Sequence, residues 1–182
     1  MSFFFVVNPV AGGGKAVRFW QAFSIILQRL GVEFEHAFTE YPGHATELAR
    51  KAVADGYAAC IGVGGDGTLH ELVPALIGTD TALGCIPAGT GNDFARGIGL
   101  PRSPELLASL VTTAPKRLID VPRVNDQLYL NVAGAGFDAI VADTVNRQFQ
   151  AISGGALPYL LRTLKNLITY RNTSLTIRFD DG

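Results

Sequence analysis

The residues of this chain best suited to chemistry are Gly64-Gly65-Asp66-Gly67-Thr68. They follow a short apolar run, Ala58–Val63, and precede a helical pattern, Leu69–Ile77. A glycine-rich turn between a strand and a helix bares backbone N–H groups, and the helix N-terminus adds partial positive charge, so the setting suits phosphate. Asp66 is the odd member. A carboxylate repels phosphate unless a metal ion, or a proton to be removed, lies between them. The combination points to ATP with Mg²⁺ and to Asp66 as a catalytic residue. The competing role for Asp66 is a turn former bonding its own backbone, but a turn with three glycines needs no such support.

Two further glycine-rich turns follow apolar runs: Asn8–Lys15 (NPVAGGGK) and Ala88–Asn92 (AGTGN). In a parallel α/β sheet such turns share one edge, where ligands bind. Together they can wrap a triphosphate, with Gly89, Thr90 and Asn92 supplied by the last. Lys15 is either a solvated helix-start lysine or, because a cation is unfavourable there without an anion, a phosphate partner. The P-loop pattern fails at Pro9 and Ala16, and the Rossmann pattern fails at Val17. Thr68–Glu71 and Thr90–Asp93 both match a capping box. Among the histidines, His36 reads as a strand residue. His44, behind Pro42-Gly43, is placed to line a nucleotide pocket, and His70 fits either role. Asp138, in the turn Asn131–Asp138 (NVAGAGFD), is either a helix-start charge or a residue facing the acceptor. Asp120 stands within Leu118–Val121, and a carboxylate in an apolar strand needs a partner or a job.

The elements that must position these residues alternate. Strands are expected at Phe3–Val7, Glu33–Thr39, Ala59–Val63 and Leu83–Ile86. Helices are expected at Lys15–Leu30, His44–Asp55, Leu69–Ile77, Asp93–Gly97 and Pro104–Thr112. In the first helix Phe19, Ala22, Phe23, Ile26 and Leu30 share the expected core face. The alternation implies an α/β fold with a parallel sheet covered on both faces. Beyond Lys116 the pattern changes to a hairpin of Arg117–Asn125 and Gln127–Ala133, helices at Asp138–Gln150 and Ala156–Tyr170, and a strand at Ser174–Phe179. The reading is a nucleotide-binding domain over 1–118 and the start of a second, β-rich domain over 119–182. Asp180-Asp181-Gly182 is a hairpin signal with no returning strand. It suggests a piece whose second domain is cut short; the alternative is a short protein whose last strand pairs with the preceding hairpin or another subunit.

Bulk properties narrow the classes. A net charge of −1 gives no support for nucleic-acid binding. Cys60 and Cys85 are too few for a disulfide framework or a zinc site and read as core filler in a reducing compartment. No run approaches the ~18 apolar residues of a membrane span. A cytoplasmic protein with no transmembrane segment is expected, with room for peripheral membrane association and for a homodimer.

Taken together, NPVAGGGK, Thr39 with Gly43-His44-Ala45, GGDGTLHE at Gly64–Glu71, IPAGTGNDFAR at Ile86–Arg96 and NVAGAGFDA at Asn131–Ala139 resemble the diacylglycerol kinase catalytic domain family. GGDGT alone is shared with NAD kinases and phosphofructokinases, so the fold implied is of that kind; Pro87–Ala95 with the Asn-Pro start is what marks a lipid kinase. The resemblance implies an ATP-dependent lipid kinase that phosphorylates a diacylglycerol-like or sphingosine-like acceptor at a membrane surface. By position, Asn8, Thr39, Gly64, Gly65, Asp66, Gly67, Thr68, Leu69, His70 and Thr90 would contact ATP. Asp66 would hold Mg²⁺ through water or help deprotonate the lipid hydroxyl, Asp120 would join the same metal–water network, and Asp138 would lie near the acceptor. Family members run on for roughly another domain's worth of strands. That part holds a second acidic residue, a proposed general base, and a structural Mg²⁺ loop, neither with a counterpart in residues 1–182. The alternatives are a kinase for a soluble acceptor, related to NAD kinase, and a non-catalytic nucleotide-binding fragment.

Overall fold

The computed structural model describes residues 2–136 together with residues 139, 174 and 176–178. The chain divides into two compact units, Met1–Asn131 and Val132–Gly182. The expected helices at Asp138–Gln150 and Ala156–Tyr170, and most of the expected strand Ser174–Phe179, lie outside the described residues.

The first unit is built on four strands: β1 (Phe3–Val7), β2 (Phe34–Phe38), β3 (Ala59–Gly64) and β4 (Ala82–Pro87). They pair in the order β2-β1-β3-β4, every pair parallel. The crossovers are α1 (Lys15–Arg29), α2 (His44–Ala54) and α3 (Asp66–Leu76); α4 (Asp93–Gly97) and α5 (Pro104–Thr113) follow β4. β1 is five residues of FFFVV, buried throughout, as a central parallel strand covered on both faces must be.

Side-chain alternation along β1 divides the core into two layers. Phe3, Phe5 and Val7 face α1 and α5 with Trp20, Phe23, Leu27 and Leu107. Phe4 and Val6 face α2 and α3 with Ala45, Ala49, Leu69 and Leu72. The buried stripe of α1 is Ala16, Trp20, Phe23 and Leu27. Phe19 and Ile26 flank it as expected, but Ala22 is exposed and Leu30 is 56% exposed, so the core face is rotated toward Trp20. Trp20 decides the rotation, since its ring packs against Phe5 and Phe34 as well as Phe23.

The chain beyond α5 departs further from expectation. The hairpin is reduced to β5 (Arg123–Val124) and β6 (Gln127–Leu128), two residues each, around Asn125 in the left-handed region. Residues 112–120 are exposed, and Leu118 has no cover at all. The expected strand there does not form, since nothing among the described residues covers either of its faces.

Two outcomes test this core. Phe5 is fully buried among Trp20, Phe23 and Phe34, and Phe5→Ala is expected to lower unfolding free energy by about 3–5 kcal/mol in urea titration. Burial pushes the Cys60 and Cys85 thiols up to about 12, with the nearby Asp66 charge adding to the shift at Cys85. Below that pH neither is a thiolate, so iodoacetamide at pH 8 should leave both unlabelled in the folded chain and label both once it is unfolded.

Candidate functional site

Because all four strands run parallel, the turns after β1, β2, β3 and β4 gather at one edge of the sheet. The order β2-β1-β3-β4 also makes β1/β3 a switch point: the chain leaves β1 for the layer of α1 and leaves β3 for the layer of α3. Such a divergence opens a crevice at the carboxyl ends of the strands, the usual ligand position in open α/β sheets.

Three of the turns touch through backbone. A Cβ on Gly12 would stand 2.5 Å from the Ala88 carbonyl oxygen, and one on Gly89 would stand 2.4 Å from the Gly65 Cα. Both contacts require glycine. Side chains complete the assembly. Asn8 Nδ2 donates to Thr68 Oγ1 at 3.0 Å across the switch point, while Asn8 Oδ1 accepts from the Val10 N–H. Asn92, with φ +54°, accepts from the Gly89 N–H through Oδ1 and donates to the Gly89 carbonyl through Nδ2.

Asp66 sits in the first turn of α3, yet its carboxylate works outside that helix. Oδ2 accepts the Asp93 N–H at 3.0 Å, and Oδ1 accepts the Phe94 N–H at 2.9 Å and Asn131 Nδ2 at 3.1 Å. It therefore caps α4 from a distance, placing a negative charge against the N–H groups and positive end of that helix. This differs from the turn-former role: among the described residues Asp66 makes no bond to its own turn.

The capping-box expectation is corrected at both sites. Gly65 is the N-cap of α3, and Thr68 lies inside the helix and is buried. Asn92 is the N-cap of α4 without capping it by its side chain, and Thr90 is exposed outside the helix. Glu71 does cap, but across to α2, where its Oε2 accepts the Ala45 N–H at 3.3 Å and its carbonyl accepts the Thr46 hydroxyl at 2.6 Å. An i, i+3 spacing cannot distinguish a local box from two reaches into neighbouring elements.

The other candidates are placed as follows. Lys15 is exposed at the start of α1 and pairs with no carboxylate among the described residues. Gly13 and Gly14 beside it, and Gly67 in α3, would each point a Cβ into open space. Among the described residues the amides of Asp66 and Gly67 have no acceptor, whereas those of Thr68 and Leu69 return to the Gly65 carbonyl. Thr39 is tied to β1 through its N–H to the Val7 carbonyl at 2.9 Å. Leu69 is 2% exposed, and its side chain belongs to the core, not the crevice. His70 is exposed. His44 Nδ1 accepts the Glu40 N–H at 3.1 Å, and its ring stacks on Tyr41. Asp120 is exposed rather than buried, outside any strand, and without a bond to Asp66 among the described residues. Asp138 lies outside the described residues.

Sequence reasoning missed the partnership of Asp66 with Asp93, Phe94 and Asn131. Asp93 and Asn131 stood in quoted motifs, but no spacing in the chain shows that they meet.

A family model for the diacylglycerol kinase catalytic domain matches residues 2–124. The chain belongs to this family. It is 37% identical over 148 residues to a diacylglycerol kinase of Mycobacterium tuberculosis, covering 78% of this chain and 48% of that protein. It is 34% identical over 181 residues to a diacylglycerol kinase of Bacillus subtilis, covering 96% of this chain and 58% of that protein. A probable lipid kinase of Chromohalobacter salexigens is 35% identical over 144 residues, 77% of this chain and 46% of that protein. Among solved structures, a putative diacylglycerol kinase from Bacillus anthracis superposes with a TM-score of 0.64 at 29% identity, covering 71% of this chain and 48% of that one. The chain thus spans about half the length of these relatives. The α/β fold with a parallel sheet is the expected one, and the expected family is the observed one.

The reach of Asp66 gives a direct test. In Asp66→Ala the first two amides of α4 lose their acceptor. Their hydrogen exchange is expected to accelerate, with stability falling by about 1–2 kcal/mol, as for loss of a helix cap. Unchanged exchange at Asp93 and Phe94 would refute the capping role.

Proposed function

We propose that this chain binds ATP at the carboxyl edge of its parallel sheet and belongs to an enzyme that transfers the γ-phosphoryl group to a lipid hydroxyl, diacylglycerol-like or sphingosine-like. Residues 1–118 would form the nucleotide-binding part, and residues 119–182 would begin the lipid-binding part. The observation that carries the reading is the pair of amides at Asp66 and Gly67, in the first turn of α3, that have no acceptor among the described residues. They lie at the switch point of a sheet whose family relatives carry lipid-kinase names. Names such as diacylglycerol kinase support a lipid acceptor, and through it a site near a membrane surface. No helix among the described residues is long and apolar enough to cross a membrane.

The donor set fits an anion. Backbone amides at the start of α3, the open surface at Gly13, Gly14 and Gly67, and the Lys15 ammonium, which pairs with no carboxylate among the described residues, would take phosphate oxygens. Asn8 and Thr68 would keep the β1 and β3 turns at a fixed separation, with Gly64 and Gly65 leaving β3 beneath them. Thr39, His70, Gly89, Thr90 and Asn92 would border the nucleotide from the neighbouring turns and α3. Such fixed dipoles accelerate phosphoryl transfer by positioning and by stabilising developing charge.

Mg²⁺ fits at Asp66 only through water. No group of three or more His, Cys, Asp or Glu among the described residues could hold a metal, and Asp66 Oδ1 already accepts two N–H groups. Oδ2 accepts one, from Asp93, and is the oxygen with room for a water or for the proton of an acceptor hydroxyl. When bound, the ion would neutralise charge on the phosphoryl oxygens. Asp120 in the same water network and Asp138 near the acceptor enter by their positions in the family motifs alone.

The test is transfer of labelled phosphate from ATP to diacylglycerol or sphingosine in mixed micelles, with NAD as the soluble competitor. A labelled lipid and unlabelled NAD are expected. Asp66→Ala should then lower turnover by a factor on the order of 10²–10³, the scale for loss of one electrostatic catalytic group. Labelled NAD would establish the soluble-acceptor alternative, and ATP binding without transfer to any acceptor would establish a non-catalytic module.

A further inference from the structure

We propose that His44 is a positioning residue for the nucleotide site. It acts through the backbone of the turn Thr39–Gly43 rather than by touching the nucleotide. The inference rests on the reading of that turn as part of an ATP site.

The turn has little else to hold it. Glu40, Tyr41, Pro42 and Gly43 are all exposed, so core packing does not set their conformation. Its first residue is anchored by the Thr39 N–H on the Val7 carbonyl, and its last, Gly43, has φ +88°. Between these points the shape depends on His44. The His44 N–H donates to the Tyr41 carbonyl at 3.1 Å, and the imidazole reaches back so that Nδ1 accepts the Glu40 N–H at 3.1 Å. An acceptor at Nδ1 uses the lone pair of that nitrogen, which leaves Nε2 as the ring's donor nitrogen in this bond.

His44 can act as a strut because both of its ends are fixed. Its backbone begins α2, whose first turn is held to α3 by the Ala45 and Thr46 bonds to Glu71. Its ring lies against Tyr41, centroids 4.5 Å apart and planes 6° apart. Tyr41 in turn donates its hydroxyl to Glu47 Oε2 at 2.9 Å, one helical turn further along α2, and this bond raises the tyrosine pKa above its ordinary value. With Nδ1 engaged and one ring face covered, His44 is built to hold Glu40 in place, and with it the direction in which Thr39 leaves β2.

The experiment separates acceptor from stack. His44→Phe keeps a ring over Tyr41 and removes the acceptor; His44→Asn removes the ring and places Oδ1 where Nδ1 stood. Binding of ATP–Mg²⁺ to the full chain is followed by calorimetry, and exchange of the Glu40 amide by NMR. His44→Phe is expected to weaken ATP binding about tenfold, the scale of one lost hydrogen bond, and to speed Glu40 exchange. His44→Asn should stay within about twofold of the parent in both. In the transfer assay KM for ATP should rise in His44→Phe while kcat holds. If His44→Phe binds as the parent does, or His44→Asn binds poorly, the inference fails while the ATP site stands. The second variant carries the test if the first does not fold. If the parent chain itself does not bind ATP, the site reading fails and takes this inference with it.

Discussion

The β4 side of the carboxyl edge of this sheet depends on where the Asp66 carboxylate goes. It leaves the first turn of α3 and takes the N–H groups of Asp93 and Phe94 and the side-chain amide of Asn131. A five-residue helix such as α4 is too short to persist by its own propensity. Its unsatisfied N–H groups need an acceptor, and a carboxylate is the strongest available. One side chain therefore sets α4, the turn that leads into it from β4, and the position of Asn131 near the end of the first compact unit.

α3 is the member to which the other elements are referred. Its inner face, Leu69, Leu72 and Leu76, is locked into the core beneath β1 and β3. From that fixed base Asp66 reaches α4, Glu71 reaches the first turn of α2, and Thr68 receives Asn8 from the turn after β1. Three neighbouring segments are thus positioned by side chains from six consecutive residues of one buried helix. Rigidity of this kind is what a transfer reaction needs, because donors misplaced by about an ångström lose most of their effect.

Much of this architecture was legible in the chain. Strand and helix alternation, the glycine-rich turns and the short strand β1 are local patterns, and their boundaries fall within a few residues of where periodicity puts them. α3 is the informative exception. It begins at Asp66, three residues before the apolar repeat at Leu69, because Gly65, with extended backbone, is the single residue between β3 and the helix. What could not be read was tertiary pairing. Thr68 and Glu71 look like a capping box because the motif records residue types, while the partner of the Glu71 side chain, Ala45, lies 26 positions back in the chain. Asp120 looked buried because its neighbours Leu118, Ile119 and Val121 are apolar. Burial is a property of what covers a segment, and nothing covers this one among the described residues.

The same geometry changes how a carboxylate in a phosphate-binding turn should be understood. Left free, Asp66 would oppose the positive ends of α3 and α4 and repel the anion that the turn attracts. Bonded to two backbone amides and one side-chain amide, its charge is partly balanced by α4 and Asn131, while among the described residues the amides of Asp66 and Gly67 keep no acceptor. The division is uneven: among the described residues Oδ1 accepts two N–H groups and Oδ2 one, and in the proposed reading Oδ2 serves the chemistry as well as the architecture. A substitution at Asp66 disturbs both at once, and only the separate behaviour of the α4 amides tells the two apart.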